Sequence, residues 1–219
     1  EVELYFELKT KENKRISHLI AVIPYQASFL IQPGQQRVVP FELPIPEDLL
    51  VSSPSASYYL STNLDIQSGI DSTDRDEIIV TPSFDLKQAL LALEQLGFQE
   101  HSDSRLFNGV TQEFIFSPTT FLLGKLERLS FIVALDPHQI RLLVDLTIHS
   151  FFGSREKQHE IILPFDLIED LGKLKAYLQQ TLSQLVEGKE EDSAPRSSFV
   201  GAMGKFVNDL VREFDRRKK

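Results

Sequence analysis

Residues 2–8 read VELYFEL, an unbroken alternation of apolar and polar side chains, Tyr5 taking the polar place. In extended backbone successive side chains point to opposite faces, so Val2, Leu4, Phe6 and Leu8 share one face while Glu3, Tyr5 and Glu7 share the other. No helix sorts these residues into two faces. The run therefore dictates a half-buried strand with one wet face, the kind found in antiparallel sheets. A second strand, ISHLIAVI (16–23), follows the polar connection TKENKR. ASFLI, RVVPFEL, SYYLSTNLDI and DEIIV continue the series, punctuated by Pro-Gly, Pro-Glu-Asp and Gly-Ile-Asp. Short strands at this spacing read as an antiparallel sandwich.

The prolines of IQPGQQRVVPFELPIP (31–46) mark the margin of that sheet. Pro33-Gly34 suits the central positions of a type II turn, where Gly accepts the positive φ. Pro40 has no N–H for a ladder, so its strand is expected at an edge or crossing between sheets. Pro44 and Pro46 hold the chain extended as it leaves.

After Thr81-Pro82 the period changes from two to 3.6. Ser83 is placed to cap a helix at about 84–96, with Leu86, Ala89, Leu90, Leu93 and Leu96 on one stripe and Gly97 as the stop. A second β series follows: GVTQEFIFSP, LERLSFIVAL, the turn DPHQ, IRLLVDLTIHSFF, a polar turn GSREKQ, and HEIILPF. A further helix is expected from Asp166, with Glu169 completing a capping box. Its stripe is Leu167, Leu171, Leu174, Leu178 and Leu185, with Thr181 in the gap. Packing on the second sheet is the default for that stripe, with a short dimeric coiled coil as the alternative.

Length admits one large or two small domains, each burying its own core. No apolar run approaches the ~18–20 residues that span a bilayer. Cysteine is absent, so disulfides, thiolate catalysis and cysteine-bound zinc are excluded, and a reducing, cytoplasmic setting is favoured. The chain opens on Glu1 within a strand pattern and is read as a fragment, leaving targeting segments unassigned. Of the net charge of −9, residues 1–82 and 83–198 carry −6 each and residues 199–219 carry +3. An acidic body argues against nucleic acid, whose binding rests on neutralising phosphates.

The order IQPG, PFELPIP, YYLSTNLDIQSGIDSTDRDEIIVTP, EQLGF and TQEFIFSP resembles the bacterial sporulation-control family (SpoOM), over about Glu1 to Leu163. The resemblance implies an arrestin-like fold of two β-sandwich domains and a regulatory, non-enzymatic role. It also implies about three further strands before Glu1, and a longer basic insertion where the turn after His149 is short. With those strands missing, an unpaired sheet edge is expected to recruit another copy or the tail. The family has no catalytic residues to carry over.

The expected fold is thus mainly β. Residues 1–82 form the first sandwich, 83–104 a linker helix and connection, and 105–187 a second β domain with a C-terminal helix. Residues 188–198 form a charged linker and 199–219 an amphipathic basic helix. The two β modules are expected as separate sheets.

Few constellations offer chemistry, and neither a catalytic residue nor a cofactor is expected. In DIQSGIDSTDRDE the oxygen-rich candidates for calcium are Asp71, Asp74 and Asp76, but an EF-hand loop starting at Asp71 would place Arg75 at its fifth position. A solvated turn is the favoured reading. His149 and His159 could face each other across GSREKQ, yet lack a third ligand. His101, Ser102 and Asp103 are sequence neighbours, whereas a triad needs spatial convergence.

The tail stands out. As a helix it gathers Phe199, Met203, Phe206, Val207, Leu210 and Phe214 on one side and ends in Arg216, Arg217, Lys218 and Lys219. Docking on its own protein is favoured, with a partner's groove and an anionic membrane surface as alternatives. The function read from the sequence is a cytoplasmic regulatory adaptor or scaffold acting by protein–protein contact, with a peripheral membrane protein and a calcium- or ligand-binding sandwich as competing classes.

Overall fold

The computed structural model describes residues 1–9, 15–24, 28–43, 45–46, 49–66, 70–107, 111–150, 153–188 and 212. The chain divides into two compact units, Glu1–Val80 and Thr81–Lys219. Both are built on antiparallel sheets, the mainly β class expected.

In the first unit, β1 (Val2–Lys9), β2 (Arg15–Ile23), β3 (Ala56–Leu64) and β4 (Ser72–Ile78) form one antiparallel sheet in the order β2-β1-β3-β4. The alternation in β1 decides its faces as expected. Leu4, Phe6 and Leu8 are buried, together with Ala56 and Tyr58 of β3. Phe6 and Tyr58 are cross-strand partners with ring centroids 5.1 Å apart. The Tyr58 hydroxyl donates to the Leu50 carbonyl at 2.8 Å, drawing the buried Leu50–Val51 segment onto this face.

Two expected strands are absent. ASFLI, as far as its residues are described, and RVVPFEL form no ladder. The turn between them is as expected: Gly34 has φ +81°, and the Gln35 N–H donates to the Gln32 carbonyl at 2.9 Å. Strand propensity loses on the following arm because Pro40 offers no donor there and a ladder depends on donors in register.

The second unit begins with α1 (Phe84–Gln95), followed by β5 (Phe98–Glu100), β6 (Leu106–Phe107), β7 (Gln112–Pro118) and β8 (Leu126–Asp136). Then come β9 (Gln139–Ser150), β10 (Gly153–Pro164), α2 (Phe165–Ile168) and α3 (Leu171–Glu187). The sheet runs β10-β9-β8-β7-β5, with β6 paired to β7. Phe131 of β8 stacks on Phe114 and Phe116 of β7, with centroids 5.3 and 5.8 Å away, and shares its face with Val144 of β9. Phe, Leu and Val in register across three strands make this the centre of the core.

Helix α1 is as expected: the Ser83 hydroxyl accepts from the Leu86 N–H, and Leu86, Ala89, Ala92 and Leu93 are buried. It packs against α3 within the second unit.

Three expectations fail here. GSREKQ is not a turn; it is the first half of β10, with Gly153 opposite Ser150. Its polar composition reflects an exposed strand, which composition alone does not separate from a turn. Consequently His149 faces Ser154 and His159 faces Val144, so the two imidazoles are not partners. The capping box at Asp166 is also not formed. α2 ends at Ile168 without a side-chain cap, and the working cap is Asp170, whose carboxylate accepts from the Lys173 N–H at 3.1 Å. Four residues of spacing still deliver the stripe, since Leu174, Leu178, Thr181, Leu182 and Leu185 are buried.

Candidate functional site

The wet face of the first sheet gathers charge and aromatic surface from four strands. Glu3, Tyr5 and Glu7 of β1 stand opposite Ser61, Tyr59 and Ser57 of β3. β4 sets Glu77 beside Tyr59 and Arg75 beside Ser61. Tyr5 and Tyr59 stack with centroids 5.0 Å apart, and the Arg75 guanidinium lies 3.5 Å above the Tyr59 ring. Glu7 holds two guanidiniums, Arg15 of β2 and Arg75 of β4, each at 3.3 Å. Asn63 donates to Glu3 at 2.8 Å. Partial burial, and then the neighbouring Glu3 carboxylate, push the Tyr5 hydroxyl above its ordinary range, so it stays protonated.

These groups line an open cavity of about 290 Å³ bounded by Glu7, Arg15, Ser57, Tyr59, Arg75 and Glu77, with Tyr58 beneath. Within it the Glu7 carboxylate is ion-paired with Arg15 and Arg75, and the Ser57 hydroxyl donates to the Glu7 carbonyl at 3.5 Å. Such a surface offers stacked rings and charged hydrogen-bonding groups. The alternation of β1 announced that Tyr5 and Glu7 share a wet face, but nothing local signals that Arg15 and Arg75 meet on one carboxylate.

The first unit also exposes large apolar side chains. Leu30 and Val38, in the segment without ladder, are 80% and 90% exposed, and Ile31, Phe41 and Ile45 are also exposed.

The calcium candidates are not gathered. Asp71 accepts from the Ile66 N–H at 3.0 Å, stabilising the connection, while Asp74 accepts from the Arg75 N–H at 2.9 Å. Asp74 and Asp76 face Thr62 and Leu60 across the ladder. Among the described residues no group of three His, Asp or Glu could hold a metal ion. His101 and Asp103 do approach, at 3.7 Å, but on an exposed turn. That turn is held by the Glu100–Arg105 bidentate pair, at 2.6 and 2.7 Å, and by Ser104 on Glu100 at 2.7 Å. This is a structural clamp. The tail residues Phe199, Met203, Phe206, Val207, Leu210, Phe214, Arg216 and Arg217 lie outside the described residues.

Two antiparallel β units, with a helical pair in the second, define an arrestin-like β protein. The chain belongs to the SpoOM protein family, whose profile matches residues 1–149. It is 26% identical over 200 residues to the sporulation-control protein Spo0M of Bacillus subtilis (strain 168), covering 84% of this chain and 78% of that protein. The crystal structure of Spo0M, sporulation control protein, from Bacillus subtilis superposes with a TM-score of 0.59 at 26% identity, covering 84% of this chain and 83% of that one.

Proposed function

We propose that this protein is a non-enzymatic regulatory adaptor, similar in role to the sporulation-control protein it resembles, and that it acts by protein–protein contact. The observation that carries the reading is the exposed apolar segment of the first unit, with Leu30, Val38 and Ile45 presented to solvent in a unit that also bears an aromatic and guanidinium-bearing sheet face. A partner strand or apolar ridge would gain from covering Val38 and Ile45, and Arg75 and Tyr59 would orient it. The test is affinity capture from cell extract with the parent chain and with Val38→Glu/Ile45→Glu. The expected result is a set of proteins retained by the first and lost by the second. Identical sets from both would overturn the reading.

The C-terminal segment is proposed as a second docking element, reaching protein in preference to membrane. Phe206→Glu puts a charge in the middle of its apolar stripe and is expected to abolish docking of either kind. Replacing Arg216, Arg217, Lys218 and Lys219 by Gln separates the two. Basic residues at an anionic bilayer contribute on the order of 1 kcal/mol each, screened by salt. Salt-sensitive sedimentation with acidic vesicles, lost with those four charges, would place the segment on membrane and refute the protein-docking choice.

A further inference from the structure

Basic side chains are scarce in the first unit, and they are gathered at one corner of it. Within Glu1–Val80 acidic residues outnumber basic ones twelve to six. Arg15 and Arg75 line the cavity on the wet face, and Lys9 is the register partner of Arg15. Lys11 and Lys14 belong in sequence to the connection that joins Lys9 to Arg15, where Glu12 is the one acid. The sixth, Arg37, stands over the Phe29 ring, 4.4 Å from its centroid.

The two guanidiniums in the cavity are anchored without being used up. Arg15 reaches one Glu7 oxygen through Nη1 and Arg75 reaches the other through Nη2, each at 3.3 Å. Bonds of this charge-assisted kind close to about 2.7–2.9 Å, so both pairs are slack. A guanidinium carries five N–H donors, which leaves most of each fork for another acceptor. The Glu7 side chain is 12% exposed, whereas those of Arg15 and Arg75 are 65% and 50% exposed. The carboxylate is therefore the floor, and the guanidiniums stand at the solvent side. Tyr59, 3.5 Å beneath Arg75, holds the plane of that fork.

We infer that this cavity binds a single carboxylate, carried by an acidic side chain of a partner protein and bridging the forks of Arg15 and Arg75. Charge complementarity selects this occupant. Lys9, Arg15 and Arg75 face the acids Glu7 and Glu77, so the described side chains at the corner keep one positive charge in a unit that is otherwise acidic. That excess suits a monoanion, and the two acids lining the cavity work against a doubly charged phosphate. The planar fork of arginine also matches the planar carboxylate. The inference deepens the adaptor reading and rests on it for the carrier of the carboxylate, but not for the site.

The test is a titration of the full chain with acetyl-Gly-Glu-Gly-amide, which bears one carboxylate, followed by NMR through the Nε–H signals of Arg15 and Arg75. Saturable shifts with a Kd on the order of millimolar are expected, with no response to the Gln analogue of the peptide. Read at Arg15, Arg75→Gln is expected to weaken binding about tenfold or more. Glu77→Gln, which removes a repelling charge, is expected to tighten it about twofold or more, and Arg37→Gln to leave it unchanged. Inorganic phosphate, titrated in parallel, is expected to bind no tighter than the peptide. Absence of a saturable shift, an equal response to the Gln analogue, tighter binding of phosphate, or indifference to Arg75→Gln would overturn the inference. Capture from extract plays no part in this readout, so the two readings fail separately. Peptide binding alongside identical protein sets captured by the parent and by Val38→Glu/Ile45→Glu would refute the adaptor reading and keep the site.

Discussion

Gly97→Ala tests how the second unit closes behind α1. Gly97 sits at φ +85°, and an added Cβ would lie 1.8 Å from the Thr120 Oγ1, 3.1 Å from its Cβ and 3.4 Å from its backbone nitrogen. Two costs add. The left-handed backbone is about 1 kcal/mol worse for Ala than for Gly. Overpacking against Thr120 adds roughly 1–3 kcal/mol, because turning its side chain removes the hydroxyl from the new methyl but leaves the Cβ at 3.1 Å. Backbone retreat is blocked as well, since the Thr119 N–H and hydroxyl both donate to the Gly97 carbonyl, at 2.7 and 2.8 Å. The expected loss is about 2–4 kcal/mol. Urea unfolding, followed by amide exchange in α1 and β7, measures it. Thr120→Ala in the same chain isolates the clash: the double variant should recover on the order of 1 kcal/mol or more relative to additivity, leaving the backbone cost in place. A loss under about 0.5 kcal/mol for Gly97→Ala, or strict additivity in the double variant, would refute the reasoning.

Tyr58→Phe removes the donor to Leu50 and strands a buried carbonyl while keeping the ring against Phe6, so the first unit should lose about 1–3 kcal/mol in denaturant; an unchanged midpoint would show that water or another donor serves Leu50. Asp170 has its pKa lowered first by the Lys173 N–H hydrogen bond and then by the Lys173 side chain, so its ionised form stabilises α3. That contribution is fully present above the ordinary aspartate value of 3.8 and is lost as pH falls through the lower folded value. Asp170→Asn should therefore lower the thermal midpoint at neutral pH and match the parent in acid; an equal deficit at both pH values would contradict the ionic role.

Much of the fold was legible because alternation and helical period are local. VELYFEL separated its faces without help, and Ser83, Leu86, Ala89, Leu93 and Gly97 delimited α1 by capping and stripe alone. What misled was composition where two structures share it. GSREKQ is polar enough for a turn, yet its pairing with the second half of β9 makes it strand. RVVPFEL is apolar enough for a strand, yet it forms no ladder around Pro40. Asp166 and Asp170 both offer a carboxylate for capping, and only the backbone path, with Asp170 extended at φ −107°, ψ 97°, decides which is used.

For the candidate site the division is sharper. The sequence by itself determined that Tyr5 and Glu7 are wet, that Leu4 and Phe6 are not, and that chemistry needing cysteine has no place here. Only tertiary structure decided that residues as distant as Glu7, Arg15 and Arg75 share one carboxylate, and that Arg75 lies on Tyr59. It also decided that β1 lies between β2 and β3. Strand order and register come from long-range pairing, and an edge is defined by which neighbour a strand lacks. A single strand's pattern carries its own two faces, but its two sides are assigned only when the sheet assembles.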